Sequence, residues 1–119
     1  MLPTYESGSF NLVNRLAYWR GEPSRGDVVA IRLAGPSVLY VKRIVGLPGE
    51  RLDVAEGLVR INGVPLAEPY VRHRRAWDVP EVTMGPGEYF VVGDNRGMRV
   101  GDHDFGRVDR ARIVGKVVF

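Results

Sequence analysis

The chain of 119 residues contains no cysteine, which excludes disulfides and thiolate metal sites and leaves the redox compartment open. Histidine is scarce: only His73 and His103 offer an imidazole. They lie far apart and match no zinc spacing, so no metal and no other cofactor is expected. No apolar run approaches the roughly 20 residues that span a bilayer. The N-terminus also lacks the charged and apolar regions of a secretory leader, so the chain as it stands reads as soluble. A block of like charge is missing too, because 17 Lys+Arg and 14 Asp+Glu are spread along the sequence. The resulting pI near 9.6 suits an anionic membrane surface or nucleic acid only weakly. Aromatic residues are 9% of the chain, and no basic strip interleaves with them, so nucleic acid is not expected as a partner. Helical periodicity is weak as well. Residues 14–20 have room for a turn or two before Gly21 and Pro23 stop them.

What is present is turn chemistry and short apolar segments. The 15 Gly and 8 Pro mark many turns, and 45% hydrophobic against 26% charged residues is ordinary for a globular chain. The length suits one domain over residues 1–119, with one core. Residues 10–14, 27–34, 38–46, 58–61, 88–92 and 112–119 are rich in Val, Ile, Leu and aromatics and are bounded by Gly, Pro, Asn or Asp. They read as strands, so the predicted class is all-β. Asn62-Gly63 favours a type I′ hairpin because both central positions need positive φ. Gly46-Leu47-Pro48-Gly49 and Met84-Gly85-Pro86-Gly87 are turns that each end one strand and begin another. Residues 68–80 form the longest stretch without a strand pattern. Its Arg72-His73-Arg74-Arg75 run beside Trp77 reads as a solvated loop, or else as a contact with acidic lipid headgroups or nucleic acid with Trp77 at the interface.

The residue that most needs an explanation is Lys42. By two-residue alternation it shares a strand face with Val38, Tyr40 and Ile44. An ammonium held against an apolar face is disfavoured in its charged form, so its pKa should fall, and a neutral lysine near pH 7 is a competent general base. The alternative is structural: a lysine at a strand edge carries its stem over apolar surface with its head in water, or pairs with a carboxylate.

The rest of the chain decides between these readings. Met1-Leu2-Pro3-Thr4, Arg25-Gly26-Asp27-Val28-Val29, Tyr40-Val41-Lys42-Arg43-Ile44-Val45-Gly46-Leu47-Pro48-Gly49-Glu50, and Val92-Gly93-Asp94-Asn95-Arg96 with Phe105-Gly106 occur in this order. Together they resemble the sequence boxes of the type I signal peptidases, serine/lysine endopeptidases that remove signal peptides from exported proteins. The resemblance implies a β-ribbon fold of coiled antiparallel sheets, shared with the self-cleaving repressor peptidases. It implies Lys42 as general base. It also implies a nucleophilic serine one position before Met1, with Met1 and Pro3 beside the substrate. That serine is not among the 119 residues, so the chain alone is expected to be inactive. Ser7 and Ser9 do not occupy the family position and suit a local turn with Gly8.

Further expectations follow from the same resemblance. Tyr40 would pack on the lysine stem, and Leu39 and Val41 would offer strand edges and small apolar pockets to an extended peptide. The preferred cleavage site would have small residues at its first and third positions, as in Ala-x-Ala. The parent protein would be held by an N-terminal membrane anchor, with its catalytic domain on the outer face. Arg43 would support the lysine, and Asp94 and Asn95 would shape a turn by side-chain to backbone bonds. The chain departs from the family after this turn: the serine that orients the lysine falls on Arg99 and the aspartate on Gly101, with Asp102 one residue away. Two other readings stay open. One is a specialised peptidase maturing a pilin or a particular secreted enzyme. The other is a non-catalytic β domain, degenerate from this family, that binds peptides or membrane surface.

Overall fold

Short segments rich in Val, Ile, Leu and aromatics recur between turn residues, and the backbone answers with short strands. The structure is a computed structural model that describes residues 21–32, 40–71, 74–94, 96 and 106–117, and the backbone of 13–14. The strands are β1 (Val13–Asn14), β2 (Val28–Ile31), β3 (Tyr40–Gly46), β4 (Arg51–Ala55), β5 (Leu58–Ile61), β6 (Val64–Pro65), β7 (Val79–Thr83), β8 (Glu88–Val92), β9 (Gly106–Asp109) and β10 (Ile113–Val117). A short 3₁₀ turn, Arg110–Arg112, leads into β10. Every strand pair is antiparallel. A six-stranded sheet runs β1-β10-β2-β3-β8-β9, and a four-stranded sheet runs β6-β5-β4-β7. The predicted all-β class with antiparallel sheets is therefore what is observed.

The two sheets share one core. Val45, Phe90 and Val92 from the larger sheet meet Leu52, Val54 and Val59 from the smaller, with Trp77 and Met84 among them. The other face of the larger sheet buries Val29, Ile31, Ile44, Tyr89, Val91, Val108 and Ile113. A strand covered on both faces reads as a near-continuous apolar run, as β2 and β8 do. Asn62 and Gly63 take φ of 51° and 84° and join β5 to β6, as the Asn-Gly pair predicts. At Gly57 the backbones come so close that an added Cβ would lie 2.3 Å from the carbonyl oxygen of Arg75.

Four strands escape the sequence prediction. β6 and β9 are two and four residues long. β7 carries Pro80 and is an edge strand, where a missing N–H donor is tolerated. β4 does alternate, with Leu52 and Val54 inward and Arg51 outward, but its charged residues hide the apolar pattern. Of the suggested turn of helix at 14–20, Asn14 belongs to β1 and the rest lies outside the described residues. Residues 68–80 are not a solvated loop throughout: Glu68, Val71 and Trp77 are buried. The lipid-contact reading of Trp77 is overturned, since its ring packs in the core between the sheets.

Candidate active site

β3 is central in the larger sheet, and its burial changes along its length: Tyr40 to Lys42 are half-buried, while Arg43 to Gly46 are buried. Lys42 sits across from Val29, and Tyr40 across from Ile31, in the β2–β3 ladder. Val29, Ile31 and Ile44 all belong to one apolar cluster, so the lysine does spring from the apolar face that alternation assigns to it. Tyr40 is its neighbour on that face. Val41 faces the other way and packs against Val28, Ala30 and Val117. The β3–β8 ladder covers Arg43, Ile44 and Gly46, so the Tyr40–Lys42 end of β3 outruns β8.

Arg43, next to the lysine, points to the opposite face and is held on all sides. Its Nε and Nη2 donate to the two carboxylate oxygens of Asp94 at 2.9 and 2.8 Å. Its Nη1 donates to the Gly26 carbonyl at 2.8 Å, and the Tyr70 ring lies under the guanidinium, 3.8 Å from its central carbon. Fork-to-fork bonding of this kind suits arginine and no other side chain. The carboxylate of Asp94, almost wholly buried, pairs with Arg43, a partner that the turn reading of the sequence does not include.

A second buried pair adjoins the first. Glu68 accepts from Arg96 Nη1 and Nη2 at 3.2 and 2.7 Å and from the Tyr70 hydroxyl at 3.0 Å. Arg96 also donates from Nε to the Gly93 carbonyl at 2.7 Å, and its own carbonyl accepts from the Arg75 amide. Burial raises the Tyr70 phenol pKa, and the charge and hydrogen bond of Glu68 raise it further. Both acid–base pairs are thus desolvated and hydrogen-bonded, the condition under which buried charge is tolerated.

The turn after β3 is stapled by a third pair. Arg25 Nη1 and Nη2 donate to Glu50 at 2.7 and 2.6 Å, and Nη1 also reaches the Val45 carbonyl. Glu50 in turn accepts from the Leu47 amide at 2.7 Å, closing the Leu47-Pro48-Gly49-Glu50 turn. The Arg25 hydrogen bond holds the Glu50 carboxyl below the usual carboxylate range. Two boxes that are distant in sequence thus meet at the base of β3.

Of the residues that the sequence singles out, Lys42, Tyr40, Val41, Arg43 and Asp94 gather around β3. Met1, Pro3, Leu39, Asn95, Arg99 and Asp102 lie outside the described residues. Sequence reasoning missed Glu68, Tyr70 and the partnership of Arg96 with them. A lone glutamate beside an arginine-rich stretch was a signal of pairing, though not of which arginine it would pair with. Among the described residues no group of three His, Cys, Asp or Glu is placed to hold a metal, and no helix is long and apolar enough to cross a membrane.

The family described as signal peptidase, peptidase S26, matches residues 1–119. The signal peptidase I of Bacillus caldolyticus is 37% identical over 100% of this chain and 72% of its own length. The signal peptidase I of Leptolyngbya laminosa is 35% identical over 99% of this chain. The chain spans 62% of the length of that Leptolyngbya protein. A crystal structure of a signal peptidase I from Enterococcus faecalis V583 superposes with a TM-score of 0.62 at 29% identity, covering 80% of this chain and 96% of that one.

Proposed function

The chain belongs to the signal peptidase family, peptidase S26, and from that premise we propose that it is the catalytic domain of a serine/lysine endopeptidase that removes signal peptides from exported proteins. The observation that carries this reading is the setting of Lys42, which stands on an apolar face at the projecting end of β3 with its neighbour Arg43 clamped behind it. An amine in such a place loses less by being neutral than one in water, which suits it to take a proton.

In the proposed reaction the Lys42 amine accepts the proton of a serine hydroxyl as the serine oxygen attacks the scissile carbonyl. That serine would occupy the position before Met1. Backbone N–H donors beside it would hold the oxyanion of the tetrahedral intermediate. The resulting ammonium then protonates the departing amine, and the lysine, neutral again, activates the water that hydrolyses the acyl-enzyme. One neutral lysine performs the work that histidine and aspartate share elsewhere.

An extended substrate would run along the end of β3 that outruns β8, with Tyr40 as a wall, and the family resemblance adds Met1, Pro3 and Leu39 as further substrate contacts. Small residues at the first and third positions before the cut, as in Ala-x-Ala, would fit best. The complete protein would be membrane-anchored, with this domain on the outer face.

The test is cleavage of a preprotein ending its leader in Ala-x-Ala by the protein carrying its natural upstream segment in detergent, beside a variant with alanine at the position before Met1. Cleavage lost in the variant, and lost also when the alanine before the cut is replaced by tryptophan, supports the proposal. A folded wild-type protein that leaves the preprotein intact refutes it.

A further inference from the structure

The buried network behind β3 holds more than Arg43, and its centre is Glu68. Carried one residue further, the β3–β8 register sets Gly93 across from Lys42, since Arg43 pairs with Val92 and Ile44 with Val91. The two positions flanking the proposed base are therefore fixed from behind. On β3 the anchor is Arg43, gripped in its plane by Asp94 and on its face by the Tyr70 ring. On the β8 side the anchor is Arg96, whose Nε holds the Gly93 carbonyl. One carboxylate joins both anchors: Glu68 accepts from Tyr70 with one oxygen and from Arg96 with both.

Burial leaves this arrangement little room to rearrange. The Glu68 side chain is fully covered and that of Arg96 is 2% exposed, so a lost bond cannot be replaced cheaply by water. Arg74, 3.8 Å from Glu68, is a partly exposed third cation. Glu68 comes from the segment that follows β6, outside the larger sheet. That segment is thereby attached to β3, which carries the lysine, and to the chain leaving β8 across from it.

We propose that Glu68 is a positioning residue for peptide cleavage: acting through Tyr70–Arg43 and through Arg96–Gly93, it sets the spacing between β3, which carries Lys42, and the chain leaving β8 across from it, and so the reach of the lysine amine. It touches neither substrate nor the reacting atoms. A base displaced by a fraction of an ångström to 1 Å loses about 10- to 100-fold in rate, while peptide binding along the projecting end of β3 is left in place. The role rests on Lys42 being the general base.

The experiment compares Glu68→Gln, Glu68→Asp and Tyr70→Leu with Val59→Ala, a core truncation in the smaller sheet whose apolar side chain makes none of the network's hydrogen bonds. All are made in the protein with its natural upstream segment, assayed in detergent below their melting temperatures. Wild-type cleavage abolished by Lys42→Ala establishes the base; if either of these controls fails, the catalytic reading falls and this proposal with it. With the controls in place, Glu68→Gln is expected to lower kcat about 10- to 100-fold with KM within about 3-fold, and Tyr70→Leu to do likewise. Glu68→Asp should recover part of the loss, and Val59→Ala should leave kcat near wild type at a similar loss of melting temperature. A kcat for Glu68→Gln no lower than for Val59→Ala, or a loss confined to KM, overturns the positioning role while leaving the serine/lysine mechanism standing. Should Glu68→Gln not fold, Tyr70→Leu decides by the same two criteria.

Discussion

Removing one member of the Arg43–Asp94 pair should be among the most damaging changes available in this fold. Asp94→Ala deletes two charge-assisted hydrogen bonds, at 2.9 and 2.8 Å, and leaves the Arg43 guanidinium 10% exposed beside the hole. Two such bonds are worth roughly 3–6 kcal/mol against leaving the partner unsatisfied, and stripping one member from a buried pair costs about 3–5 kcal/mol. The retained Gly26 carbonyl and Tyr70 ring compensate part of the charge, which places the expected loss near 3 kcal/mol. With an unfolding entropy of about 2.1 cal/mol/K per residue, a chain of 119 residues would melt roughly 12 °C lower. Arg43→Met should cost at least as much, because the carboxylate it abandons is the more deeply buried of the two. The double variant Arg43→Met with Asp94→Ala removes both charges together. It should therefore be less unstable than the sum of the singles by about 2 kcal/mol or more. Urea unfolding of the four proteins measures that coupling directly. Single losses below about 1 kcal/mol, or additivity within about 0.5 kcal/mol, would refute the reasoning.

Two further predictions concern the turn and the core. Glu50→Gln should destabilise by about 1–2 kcal/mol at pH 7, since its pair with Arg25 is bidentate but partly exposed. The folded-state pKa of Glu50 lies below the unfolded value of about 4.3. Its contribution is therefore present above about pH 4.3 and lost as pH falls through the folded value, so the gap between the two melting curves should narrow as the pH is lowered below about 4. A gap as wide at pH 3 as at pH 7 contradicts the assignment. Trp77→Ala should cost about 3–5 kcal/mol in a urea titration, because the ring is buried between the sheets. A cost under about 1 kcal/mol would return Trp77 to the surface.

How much of this the sequence carried depends on the range of the interaction. Period-two alternation over 38–46 put Lys42 on the same face as Tyr40 and Ile44, and the neighbours across the ladder, Val29 and Ile31, are apolar as that requires. Asn62-Gly63 specified its hairpin because positive φ is a local property. β7 was hidden by Pro80, which breaks the strand signature and yet is compatible with an edge. Arg43 and Asp94 are separated by 51 residues, and Glu68 and Arg96 by 28, and no periodicity encodes such meetings. Charge alone misled at Glu68 and Trp77. A short arginine run beside an aromatic looks solvated, but here one buried carboxylate draws its segment inward and the indole follows into the core. The boxes shared with the signal peptidases pointed to the candidate site; only the fold showed that Arg25 answers Glu50, and Arg43 answers Asp94.

The most direct test of Lys42 as general base is the single-turnover cleavage rate of an Ala-x-Ala preprotein by the protein with its natural upstream segment, compared with Lys42→Met. Methionine keeps an apolar stem at a position across the ladder from Val29 while removing the amine, so circular dichroism should match wild type. Deleting the base is expected to lower the rate by at least about 10²- to 10⁴-fold, with substrate binding unchanged. A folded Lys42→Met protein that cleaves within about 10-fold of the wild-type rate would contradict the account.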